Sequence, residues 1–171
     1  MLPLLTYGNK AERLMKNIFN VHRIRNASSD FDADFLLNTA QLVDPVRYKK
    51  CTSIHKLGAH SYSPEQILDY LYGLDFVIDV GSDQYVGLDF TVNAAKVPAK
   101  LSKCHSLSRM SKSININHSI VILVVGDLDN PDPTVIESST KSLMRDLFAS
   151  FETSSDMRLP RYFKFAVSNS F

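Results

Sequence analysis

Hydrophobic side chains recur along this chain with two different periods. Within residues 10–19, Leu14, Met15, Ile18 and Phe19 return at helical spacing, while Glu12, Arg13 and Lys16 take the other side. That pattern predicts an amphipathic N-terminal helix. Ser63-Pro64-Glu65-Gln66 offers a capping serine, a proline at the first helical position and a glutamine where a capping box needs one. A second helix should run from there through Ile67, Leu68, Tyr70 and Leu71 and stop at Gly73. Two alternating segments follow, residues 75–80 and 85–92, and predict adjacent strands. Pro98 opens a helix reaching about Met110, because proline is tolerated in a first turn and not deeper. The β-branched run of residues 119–125 reads as a buried strand. Beyond Asn130-Pro131-Asp132-Pro133 a long helix covers about residues 134–151, and residues 162–167 form a last strand. Residues 28–42 fit a strand, a loop or a short helix, the next stretch to about Tyr62 looks like connecting surface, and residues 20–62 as a whole read as an irregular insertion. The predicted whole is one α/β domain over residues 1–171, a central mixed β-sheet flanked by helices.

The two adjacent strands carry the chemistry. On the first, Phe76, Ile78 and Val80 share a face and Val77 and Asp79 share the other; on the second, Val86, Leu88, Phe90 and Val92 oppose Tyr85, Gly87, Asp89 and Thr91. If both apolar sets face one core, Asp79 and Asp89 lie together on the far side of the sheet. Paired positions must then sum to an even number, which selects an odd connection, Ser82-Asp83-Gln84 closed by Gly81 and Tyr85, over a two-residue turn at Ser82-Asp83. Asp79 and Asp89 would stand about one diagonal step apart, within reach of one divalent ion. Mg²⁺ suits such a site because it takes oxygen ligands and only one or two carboxylates. Gly87 beside them would leave open space for an ion or a phosphate backbone.

Helix, acidic strand, acidic return strand, helix, strand and helix in this order resemble the core of the PD-(D/E)XK, or restriction endonuclease-like, nuclease superfamily. The likeness covers residues 75–125 and, loosely, the first helix. It implies a restriction endonuclease-like core at about residues 75–151 and hydrolysis of phosphodiester bonds in DNA with Mg²⁺ or Mn²⁺. It also implies that Asp79 and Asp89 hold the metal, assisted by Glu12 from the first helix. Two departures matter. Ile78 stands where the family has proline, and Thr91 stands where it has lysine. Some members recruit that lysine from the following helix, which points to Lys96 or Lys100. The resemblance thus adds Asp79, Asp89, Lys96, Lys100 and Glu12 as candidate catalytic residues.

Composition changes this picture little. The chain has 171 residues, 44% hydrophobic and 22% charged, which is ordinary globular usage. Nineteen basic against eighteen acidic side chains give a net charge of +1, which excludes a uniformly basic binder. The charge is nonetheless segregated. No acid occurs between Phe90 and Gly126, where Lys96, Lys100, Lys103, Arg109 and Lys112 form a candidate phosphate-contacting surface. Cys51 and Cys104 have no disulfide or zinc spacing. No apolar stretch is long enough for a signal peptide or a membrane span, so a reduced, cytoplasmic protein is expected, without a membrane partner. No glycine-rich phosphate loop occurs, so no nucleotide cofactor is expected. Symmetric cutting of a duplex would require a homodimer.

Each candidate also has a plainer reading. Glu12 lies four residues before Lys16, the spacing of an intrahelical ion pair. Strand aspartates can be solvated or paired with nearby basic side chains. Thr91 favours the alternative to an enzyme, a non-catalytic nucleic-acid-binding or protein-interaction module on the same fold.

Overall fold

The structure is a computed structural model that describes residues 4–55, 62–81, 84–152 and 161–169. The helices are α1 (Leu4–Val21), α2 (Ala33–Val43), α3 (Pro45–His55), α4 (Pro64–Tyr70), α5 (Val97–Ser106), α6 (Ser108–Lys112) and α7 (Pro133–Glu152). The strands are β1 (Phe76–Gly81), β2 (Gln84–Thr91), β3 (Ile116–Val125) and β4 (Tyr162–Ala166), hydrogen-bonded in the order β1-β2-β3-β4. β1 and β2 are antiparallel and β3 and β4 parallel, so the fold is α/β with a mixed four-stranded sheet flanked by helices. No helix among the described residues is long and apolar enough to cross a membrane.

The predicted elements are present with shifted ends, except that the helix expected from Pro98 to about Met110 is broken at Leu107 into α5 and α6; the insertion is the main difference. The part read as irregular holds two eleven-residue helices, α2 and α3. Helix α3 shows why it escaped notice. It puts Cys51 inside but turns Val46 and Ile54 outward beside Lys49 and Lys50, so no apolar stripe forms. The stretch around Lys56 and His60, read as connecting surface, lies outside the described residues. Helix α4 starts as expected: the Gln66 N–H donates to Ser63 Oγ, and the Ser63 N–H donates back to Gln66 Oε1.

The chain divides into two compact, interleaved units, Met1–Arg23 with Phe90–Leu101 and Ile120–Phe171, and Ile24–Asp89 with Ser102–Ser119. In the first, α1 buries Met15, Ile18 and Phe19 of the predicted stripe together with Ala11, leaving Leu14 half-buried, and the Phe19 ring lies 6.3 Å from Phe90. The buried run Ile120–Val124 of β3 pairs with β4, and Ser139 Oγ of α7 donates to the Ala166 carbonyl at 2.7 Å.

In the second unit, Leu36 and Ala40 of α2, Ile67 and Leu68 of α4, and Leu74, Val77, Leu107 and Met110 share one core. Tyr72 Oη donates to the Leu36 carbonyl at 2.6 Å, and Arg47 Nε of α3 donates to the Leu71 carbonyl at 2.7 Å. Burial holds the Tyr72 phenol well above the usual tyrosine range.

Candidate functional site

Register decides which acidic groups can meet. Phe76 pairs with Leu88, Val77 with Gly87, Ile78 with Val86 and Asp79 with Tyr85, so the paired positions do sum to an even number. At the tip, however, Gly81 pairs with Gln84, and a bulge between Asp79 and Gly81 absorbs the extra residue. Gly81 takes φ +94°, the left-handed conformation that such a turn requires. The bulge reconciles a short tip with an even sum, which the predicted three-residue loop did not consider; Ser82 and Asp83 themselves lie outside the described residues.

The consequence is a shift of two residues. Asp79 stands opposite Tyr85, four residues from Asp89 along β2. At ~3.4 Å per residue, that is about 14 Å along the strand, too far for one cation to bridge both groups. The expected diagonal step is therefore corrected. Asp79 lies instead beside Arg25, whose Nη2 donates to Asp79 Oδ2 at 3.1 Å and whose guanidinium also holds Asp30. The Gly81 N–H donates to Asp79 Oδ1 at 2.8 Å, and this bond, followed by Arg25, holds the Asp79 carboxyl below its ordinary range.

The register ends at the pair of Phe76 with Leu88, and a different acid, Asp75, immediately precedes β1. The Asp75 N–H donates to the Leu88 carbonyl at 2.9 Å, so the chain entering β1 is still bonded to β2 at the residue before Asp89. Asp75 is half-buried and Asp89 only 2% exposed. Lys103 of α5 reaches Asp89, with Nζ 2.8 Å from Oδ2 and a third of its own side chain in solvent. Asp75, Asp89 and Lys103 all belong to the second unit. Asp89 and Lys103 thus form an ion pair that faces water through the lysine, while Asp75 is tied by its backbone to the residue before Asp89.

The face bearing these residues is not the wet face that the alternation suggests. Val77 is fully buried there, in the same core as Leu36 and Ile67, because helices of the insertion region cover it. Nor does Gly87 leave a space. A Cβ at Gly87 would lie 2.7 and 2.8 Å from the Leu74 methyls, so the glycine admits a leucine and not an ion.

The remaining candidates separate. Glu12 forms its intrahelical pair with Lys16 at 3.0 Å. Thr91 is buried, and its Oγ1 accepts the Asn93 N–H at 3.2 Å, ending β2 with a side-chain turn. Lys96 is exposed and Lys100 half-buried, both in the first unit. Arg109 and Lys112 are exposed on α6 in the second. Sequence reasoning placed Lys103 among phosphate contacts and passed over Asp75. The strand register signals neither, because it ends at Phe76 and Lys103 comes from α5. No family model, no curated protein and no solved structure matches this chain.

Proposed function

We propose that the chain is a metal-dependent, nuclease-like hydrolase of phosphodiester bonds in DNA, built on a restriction endonuclease-like core, with Asp75, Asp89 and Lys103 as its working residues. The observation that carries this reading is the contact of Lys103 with Asp89, Nζ to Oδ2 at 2.8 Å. A lysine delivered by the following helix answers the absence of one at Thr91.

Mg²⁺ and Mn²⁺ take carboxylate oxygens, and an ion that keeps most of its waters needs only one or two of them; among the described residues no group of three or more His, Cys, Asp or Glu side chains is placed to hold a metal ion. Bound there, the ion would supply a polarised phosphate and an acidified water. Asp75 and Asp89 would hold it. Lys103, beside Asp89, would place its ammonium against the charge developing on the phosphate. Lys96, Lys100, Arg109 and Lys112 remain candidates for contacts to the nucleic-acid backbone, whose affinity would fall with salt.

Cleavage of duplex, branched and single-stranded DNA with Mg²⁺ or Mn²⁺ tests this. Asp75→Asn, Asp89→Asn and Lys103→Met should each lower the rate by ~10²-fold or more, chelation should abolish it, and Asp79→Asn should leave it near wild type. Cleavage that survives Asp75→Asn and Asp89→Asn would overturn the assignment.

The near-complete burial of Asp89 favours a second reading, a structural ion pair in a non-catalytic nucleic-acid-binding or protein-interaction module. In that case Lys103→Met lowers stability while the wild type binds DNA or a protein and cleaves nothing.

A further inference from the structure

Between α4 and β1 the backbone passes close to the end of the Lys103 side chain. Gly73 closes α4 with its N–H donating to the Asp69 carbonyl at 3.1 Å, and it takes φ +69°. A Cβ on Gly73 would stand 3.0 Å from Lys103 Cε, 3.2 Å from Lys103 Nζ and 3.3 Å from Leu107 Cδ1. The same Nζ is 2.8 Å from Asp89 Oδ2. The last methylene and the ammonium of Lys103 thus lie between the bare backbone of Gly73 on one side and the Asp89 carboxylate on the other.

We infer that Gly73 is a positioning residue for Lys103: its missing side chain is the space through which the ammonium reaches Asp89. This rests on the reading of Lys103 as a working residue of the site. Gly73 meets two demands that can be separated. The positive φ is a backbone demand, which asparagine satisfies better than most residues. The close approach of Lys103 is a spatial demand, which asparagine violates. Gly81 provides the control, because it also has a positive φ (+94°) but a Cβ there would meet nothing within 4 Å.

The same three-residue entry to β1 works twice more. Leu74 fills the space over Gly87, and the Asp75 N–H is bonded to the Leu88 carbonyl, one residue before Asp89. A displacement of the backbone at Gly73 would therefore be transmitted to the lysine and to both carboxylates. A side chain added at Gly73 acts mainly on the lysine, since the nearest atoms it meets belong to Lys103.

Two measurements on Gly73→Asn, Gly73→Ala and Gly81→Asn test the inference. The first is the rate at which an amine-reactive ester labels Lys103, read by mass spectrometry on folded protein. Labelling should quicken severalfold in Gly73→Asn, less in Gly73→Ala, which needs a shift of only a few tenths of an ångström, and not at all in Gly81→Asn. The second is Mg²⁺-dependent cleavage, where a displacement of about 1 Å should lower kcat by up to ~10²-fold with little change in KM. Labelling of Lys103 at the wild-type rate in both folded Gly73 variants would overturn the inference. Faster labelling with undiminished kcat would overturn its catalytic half. If the wild type cleaves nothing, the hydrolase reading fails by itself, and the labelling still decides whether Gly73 positions Lys103.

Discussion

Replacing Lys103 by methionine keeps most of the side chain's length and removes its charge. Two opposite charges 2.8 Å apart, in surroundings of effective dielectric ~20, attract by roughly 6 kcal/mol before desolvation is counted. Taking the Asp89 carboxylate out of water offsets much of that attraction. Breaking one side of a buried pair generally costs about 3–5 kcal/mol, because a charge is left without compensation. Here Lys103 is a third exposed, so water can reach the vacated position, and the lower end, about 3 kcal/mol, applies. For a chain of this length that corresponds to a fall in Tm of ~6–12 °C. Urea denaturation of Lys103→Met, Asp89→Asn and the double variant measures it. The double variant should be more stable than the sum of the single losses predicts, by at least ~1.5 kcal/mol, since asparagine no longer needs an ammonium. Losses that add to within ~0.5 kcal/mol would show that the two side chains do not interact and would refute the ion pair on which the site is built.

Gly87→Ala should destabilise by about 1–3 kcal/mol, because the new methyl would press into Leu74; Leu74→Val in the same chain should recover part of the loss in thermal melts. Asp79, whose folded pKa lies below 3.8, contributes stability that is fully present above that value and is lost as the pH falls through the folded pKa, since protonation breaks its bonds to Gly81 and Arg25. Acid unfolding of Asp79→Asn should therefore lack that part of the acid limb, and an unchanged profile would show that Asp79 makes no such bonds in solution.

Local chemistry was legible where one short segment determines the outcome. The capping box at Ser63 and Gln66, the buried run of β3 and the apolar positions of α1 follow from spacing alone. The helices of residues 20–55 were not, because α3 is not amphipathic and its stability comes from contacts such as Arg47 to the Leu71 carbonyl. The candidate site was half legible. Asp89 was visible as an acid in a β-branched strand, and parity correctly set Asp79 and Asp89 on one face. The distance from Asp79 to Asp89 depended on a single bulge at Gly81, and a bulge changes which residues oppose each other without altering the hydrophobic alternation. The lysine depended on how closely Gly73 lets a side chain approach, which no periodicity reveals.

The two ends of the sheet also differ in how far along the chain their partners lie. Val77 and Gly87 are ten positions apart, whereas Val121 meets Tyr162 only after α7 has been traversed, forty-one positions later. Each doubling of a closed loop costs about 0.6 kcal/mol, so the parallel pair starts roughly 1.2 kcal/mol behind the hairpin before any side chain packs. Folding should therefore begin at the hairpin, where Asp89 resides, and finish at β4. In a pulse-labelling hydrogen-exchange experiment the amides of β1 and β2 would be protected first and those of β4 last, so the catalytic candidates would be assembled while the far edge of the sheet is still open.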